Sequence, residues 1–180
     1  MADSGLTGIL LVGGASTRFG SPKAFARFEG ETLAERAWRL LGDVCEERIA
    51  VGRGEDLPFP VLADEGTGPV AAIAAGLRAA AHEVAVVIPV DMPLLTADAL
   101  RVLAGACRDA AAPQDGPLPC AVARRMLPAF ETGERRLGAV LDGLDTARVE
   151  LEDRLLANVN EPEDLRRIAP SEDFESRGTA

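Results

Sequence analysis

The chain has 180 residues, 47% of them apolar, and 29 acidic against 19 basic residues leave a net charge of −10. That length and apolar content suit one domain with a sizeable core and exclude a disordered chain. The acidic balance argues against nucleic-acid or anionic-membrane partners, because phosphate surfaces call for basic stripes.

Gly8–Val12 is a continuous apolar run ending at Gly13-Gly14, which predicts a buried strand feeding a loop. Thr32–Leu41 reads as a helix, with Leu33, Ala37, Leu40 and Leu41 on one face and Gly42 closing it. Arg48–Val51 gives a second strand and Phe59–Ala63 a third, weakened by Pro60. An Ala-rich helix is expected over Pro69–Ala81, with proline at the first turn, where its missing N–H is harmless. Val84–Ile88 is the strongest strand, and Thr96–Ala110 reads as a helix with Thr96 as N-cap. Beyond Pro113 the pattern loosens: a strand over Leu118–Ala123, one or two helices over Met126–Leu144 broken at Gly133, and a strand over Ala147–Leu151. A last helix, Glu161–Ile168, takes Asn160 as its N-cap. The strand–helix alternation implies an α/β fold with right-handed crossovers, a mostly parallel central sheet and helices on both faces. One domain is expected over residues 6–168, with 170–180 as a flexible tail.

No apolar run reaches the ~18 residues of a membrane span, and the N-terminus lacks a signal peptide's basic-then-apolar layout. Cys45, Cys107 and Cys120 are odd in number and widely separated, so neither a disulfide framework nor a zinc motif is written here. A cytoplasmic location follows as the expectation. His82 is the sole histidine and reads as a solvent-facing helix end, which leaves little from which to build a Ser/His/Asp or Cys/His nucleophile. All nineteen basic residues are arginine except Lys23, which lies in the most glycine-rich loop.

That loop, Leu11–Lys23, emerges from a buried strand, hence at the carboxyl edge of the sheet, where open α/β folds bind ligands. Gly13 and Gly14 let a phosphate chain approach the backbone, and Arg18 and Lys23 place two cations beside it. The spacing is neither the dinucleotide GxGxxG nor the Walker GxxxxGK[ST], which counts against hydride transfer and P-loop chemistry. Asp91, between Pro89 and Pro93, ends the strongest strand at the same edge; a carboxylate there suits Mg²⁺, although Asp also simply begins turns. Asp64, before Gly68-Pro69, is placed to accept from a base or ribose, or belongs to an ordinary strand-to-helix connection. Asn158 and Asn160 point the same way along an extended segment, and Arg135-Arg136 is a basic pair that could meet a phosphate, although a charged helix surface explains it equally well. A cation-bearing glycine loop with a strand-end Asp describes Mg²⁺-assisted phosphoryl or nucleotidyl transfer, which needs positioning and charge neutralisation rather than a side-chain nucleophile.

In these residues the sequence resembles the MobA-like molybdenum cofactor guanylyltransferases. Leu11, Val12, Gly13, Gly14, Ser16, Arg18, Gly20 and Lys23 follow that family's LxGGxSxRxGxxK signature; Gly68–Ala72, Val90–Pro93, Gly133–Arg136 and Asn158–Leu165 resemble its later motifs. The resemblance implies a three-layer, Rossmann-like nucleotidyltransferase fold. It also implies transfer of GMP from GTP to molybdenum-bound molybdopterin, with release of pyrophosphate. By the same resemblance Leu11, Val12, Gly13 and Gly14 meet the nucleotide, Lys23 and Arg18 its phosphates, Asp64 the nucleoside and Asp91 the Mg²⁺. Asn158 and Asn160 would stand beside the pterin acceptor, and molybdenum cofactor biosynthesis proteins or apo-molybdoenzymes become possible partners. The chain departs from the family pattern at Gly52, where a nucleotide-contacting Asn is expected, and at Ala72, where glycine is usual. Two other readings remain open: a related molybdopterin cytidylyltransferase or sugar-phosphate nucleotidyltransferase, and a non-catalytic carrier of the finished cofactor.

Overall fold

The computed structural model of the chain describes residues 5–13, 23–53, 56–63 and 68–169. Its strands are β1 (Leu6–Leu11), β2 (Arg27–Phe28), β3 (Glu31–Thr32), β4 (Glu47–Gly52), β5 (Val61–Ala63), β6 (Val84–Pro89), β7 (Ala110–Pro113), β8 (Cys120–Ala123) and β9 (Thr146–Val149). Its helices are α1 (Leu33–Gly42), α2 (Pro69–Ala79), α3 (Ala97–Ala106), α4 (Leu127–Phe130), α5 (Leu137–Asp142) and α6 (Pro162–Ile168). Seven strands form one sheet in the order β5-β4-β1-β6-β8-β7-β9. Only β8 runs antiparallel to its neighbours in that sheet.

Alternation along the central strands divides the core into two layers. Ile9 and Leu11 face one way with Val87, against Ile73 and Leu77 of α2 and against α4 and α5. Leu10 and Val12 face the other way with Val86 and Ile88, against α1, Leu100 of α3 and Leu165 of α6. Helices therefore cover both faces, as the apolar runs predict. From β1 the chain moves outward to β4 and β5, then returns past β1 to β6. That reversal makes the carboxyl end of β1 the topological switch point, where such sheets open a crevice.

Local chemistry explains most boundaries. Thr32 caps α1, its hydroxyl accepting the Glu35 N–H while the Glu35 carboxylate accepts the Thr32 N–H. Gly42 is the last residue of α1 rather than a left-handed stop; a Cβ there would lie 2.8 Å from an Arg48 guanidinium nitrogen, and that flexible side chain would have to shift. Pro60 lies outside β5, having no N–H for the ladder. The sequence reading had no element for the β2–β3 hairpin, whose turn puts Glu29 (φ 50°) and Gly30 (φ 89°) at positive φ, as a type I′ turn requires.

The expected helix Thr96–Ala110 ends at Ala106, and Ala110–Pro113 is instead a fully buried strand. Alanine favours helix locally, but a strand between β8 and β9 must present small side chains to both layers, and tertiary pairing overrides propensity. Accordingly Ala110 and Ala112 face the α2 layer, and Ala111 packs with Leu103 of α3. Among the described residues no helix is long and apolar enough to cross a membrane.

Candidate active site

Backbone bonds carry the ladder one step past the end of β1. The Val90 N–H donates to the Leu11 carbonyl at 3.1 Å, and the Val12 N–H to the Val51 carbonyl at 3.0 Å. Leu11 and Val12 are thereby buried in the floor of the switch-point crevice, and Gly13 emerges exposed between the ends of β4 and β6. Gly52 fixes how closely the two strand ends approach. Its φ is +138°, and a Cβ on it would lie 2.6 Å from the Gly13 nitrogen, a separation only glycine allows. At Gly13 itself a Cβ would meet its nearest neighbour at 3.6 Å, an ordinary contact. The steric demand for glycine thus falls on Gly52, the position that departs from the family pattern.

Lys23 follows in a single 3₁₀ turn, Lys23–Phe25, closed by the Ala26 N–H donating to the Lys23 carbonyl and pinned by buried Ala24. Its ammonium reaches across the crevice. The Nζ lies 3.2 Å from Asp91 Oδ2 and donates to Asn160 Oδ1 at 3.1 Å. The Lys23 and Asp91 side chains are only 18% and 24% exposed, so the contact is shielded yet reachable from solvent. Asp91 stands just past β6 between buried Val90 and Met92. Its main-chain carbonyl accepts the N–H of Val159, a residue with no exposure, at 2.9 Å. This bond straps residues 157–161 along the mouth of the crevice, with Asn158 and Asn160 exposed on either side of Val159.

The structure therefore brings Lys23, Asp91 and Asn160 into direct contact, with Leu11, Val12 and Gly13 beside them and Asn158 on the adjoining strap. Gly14, Arg18 and Asp64 lie outside the described residues. Asn160 is not the cap of the last helix. Glu161 takes that position, and one oxygen of Asp164 (Oδ2) accepts the N–H groups of both Asn160 (2.8 Å) and Glu161 (2.9 Å), which leaves the Asn160 side chain for Lys23. Those two N–H groups, Asn160 first, hold the Asp164 carboxyl below its ordinary pKa, with Arg167 and Lys23 adding in the same direction. Sequence reasoning missed Asp164, although a carboxylate at the third position of a helix is a recognisable signal. At Gly133–Arg136 the Glu134 carboxylate accepts the N–H groups of Arg135 and Arg136, an arrangement that builds the start of α5.

A divalent cation fits Asp91 in one way. Among the described residues Asp91 Oδ1 takes no hydrogen bond, and no group of three or more His, Cys, Asp or Glu is assembled to cage an ion. A single strand-end carboxylate suits Mg²⁺, which keeps most of its water and is completed by substrate phosphates. Nucleophilic chemistry has little support. Burial pushes the thiols of Cys45 and Cys120 up to about 12 and that of Cys107 to about 11. His82 is half-buried at the opposite edge of the sheet, its N–H donating to Thr7 and its ring stacked over Gly5, where no Cβ would fit.

Residues 8–151 match the family model described as the MobA-like NTP transferase domain. The chain belongs to this family. It is a nucleotidyltransferase. A Mycobacterium marinum relative described as a probable molybdenum cofactor guanylyltransferase is 36% identical, over 89% of this chain and 91% of the relative. Among solved structures, a nucleotidyl transferase from Methanothermobacter superposes with a TM-score of 0.78 at 19% identity, covering 92% of this transferase and 96% of that chain. The molybdopterin-guanine dinucleotide biosynthesis protein A of Archaeoglobus fulgidus superposes with a TM-score of 0.75 at 25% identity, over 90% and 96% of the two chains.

Proposed function

We propose that the protein transfers GMP from GTP to the terminal phosphate of molybdenum-bound molybdopterin, giving the guanine dinucleotide cofactor and pyrophosphate. An acceptor oxygen forms the new bond to the α-phosphorus, the bond from that phosphorus to the bridging oxygen breaks, and pyrophosphate leaves with the electron pair. The acceptor phosphate is already anionic, so no side-chain nucleophile is required; the protein's task is positioning and charge compensation. The observation that carries this reading is the Lys23–Asp91–Asn160 contact at the end of β1, which joins three motifs 68 and 137 residues apart. The naming of the curated relatives supports the choice of GTP and molybdopterin.

In this reading Leu11, Val12, Gly13 and Gly14 form the nucleoside side of the crevice, with Asp64 as a further nucleoside contact. Lys23 exchanges its carboxylate and amide partners for triphosphate oxygens, and Arg18 adds a second cation. Asp91 holds Mg²⁺, which when bound neutralises charge on the phosphates and the departing pyrophosphate. Asn158 and Asn160 face the acceptor. A cytoplasmic location and delivery to molybdoenzymes belong to the same proposal.

The test is incubation with Mg²⁺, molybdopterin carrying molybdenum, and either GTP or CTP. The expected outcome is pyrophosphate release with GTP; release with CTP alone would assign the cytidylyl branch. Acceptor binding without release under either nucleotide would make the protein a carrier.

A further inference from the structure

The strap over residues 157–161 has few attachments for a segment that places a site residue. Its middle is tied by the Val159 N–H to the Asp91 carbonyl, and Asn160 meets Lys23 only through side chains. The N–H groups of Asn160 and Glu161 precede the helix and have no carbonyl partner within it. Pro162, the next residue, has no N–H to offer. Both free donors converge on one oxygen of Asp164 at 2.8 and 2.9 Å. The other oxygen is held at 3.2 Å by Arg167, which fixes the carboxylate's orientation. Meanwhile α6 itself is anchored by Leu165 and Ile168 against the α1-side core, so Asp164 projects from a fixed base.

We infer that Asp164 is a positioning residue for the catalytic lysine: by fixing the backbone of Asn160 and Glu161 it presents Asn160 Oδ1 to the Lys23 ammonium and holds that ammonium at Asp91. This rests on the proposed role of Lys23 in binding the triphosphate. A carboxylate that merely caps α6 would satisfy the same two donors, so the test needs a signal that capping alone would not move.

The composition supplies one. Lys23 is the only lysine, so protein grown with ¹³C-labelled lysine gives a single Cε resonance reporting on that ammonium's surroundings. In Asp164→Ala this resonance should move towards that of a solvated lysine, and KM for GTP should rise roughly fivefold, because a small misplacement of a binding group is felt directly. Asp164→Asn keeps an oxygen able to accept both N–H groups and should restore most of both signals. Asn160→Ala should move the resonance similarly, and adding Asp164→Ala to it should do little more, since the two act through one linkage. The inference is overturned if Asp164→Ala lowers the melting temperature but leaves the resonance and KM unchanged, or if the two substitutions are additive. Should Asp164→Ala fail to fold, Asp164→Ser, too short to reach both donors, carries the same expectations. If Lys23→Ala leaves GTP binding intact, the functional reading fails by itself, while the resonance still decides whether Asp164 positions Lys23.

Discussion

The two edges of the central sheet both carry charged networks, and they are built differently. At the amino edge Glu46 accepts the Leu6 N–H at 2.7 Å, and Glu47 accepts the Thr7 hydroxyl at 2.7 Å and the Ala81 N–H at 2.8 Å. Thr7 is fully buried, so the Glu47 carboxylate satisfies a hydroxyl that would otherwise be stranded, and both carboxylates tie backbone N–H groups at this edge. At the carboxyl edge the Lys23 ammonium meets, among the described residues, side-chain oxygens of Asn160 and Asp91 at 3.1 and 3.2 Å, and neither of these bonds completes the backbone. Partners of the first kind stay together for the life of the fold, whereas under the proposed function those of the second are traded for phosphate and metal. The difference separates charges that build the sheet from charges that serve it.

Substitutions can break that contrast, the largest effects first. Asp91→Ala should lower turnover by about 10² or more with little change in thermal stability, because its side chain anchors no backbone; steady-state kinetics beside a melting curve will check both. Gly52→Ala should cost about 2–3 kcal/mol in denaturant unfolding, since it combines a φ unfavourable to alanine with a collision against Gly13. Lys23→Ala should weaken GTP binding about tenfold, or about 1.4 kcal/mol, by calorimetry. At the other edge Glu47→Ala should cost about 1–2 kcal/mol of stability and leave KM for GTP unchanged. An altered KM there would erase the distinction between the edges.

The smallest effect concerns acid. Glu35, Glu134 and Asp164 accept backbone N–H groups, which hold their carboxyls below the ordinary value in the folded protein. A carboxyl depressed on folding stabilises fully above its unfolded pKa and loses that contribution as pH falls through the folded value. Melting temperature should therefore be level near neutrality and decline through and below the ordinary carboxylate range.

Much of the architecture was legible because burial on both faces leaves uninterrupted apolar runs. Gly8–Val12 and Val84–Ile88 announced the two central strands, and their ends located the crevice. Thr96 announced a helix start through its own hydroxyl. Elements whose identity depends on distant partners were not legible. Ala110–Pro113 is a strand only because β8 and β9 flank it, and the β2–β3 hairpin has strands too short to show a period. In the site, residue types and offsets singled out Lys23 and Asp91, and the family resemblance added Asn160; their contact is a product of topology. Asn160 looked like a cap because asparagine is a good one, but Asp164 serves the strap's N–H groups and releases the amide. Gly52 looked like a lost contact until the approach of Gly13 gave it a steric purpose.

The bond between Val159 and Asp91 joins one peptide unit to another, so it is indifferent to the side chains at the neighbouring positions. Residue 158 can therefore be exchanged, by drift or by design, without detaching the segment that carries it, whereas the Asn160 side chain is also tied to Lys23. The mouth of the crevice is in this sense a fixed mount with a replaceable fitting, and under the proposed function a library confined to position 158 tests whether that fitting decides which acceptor is admitted.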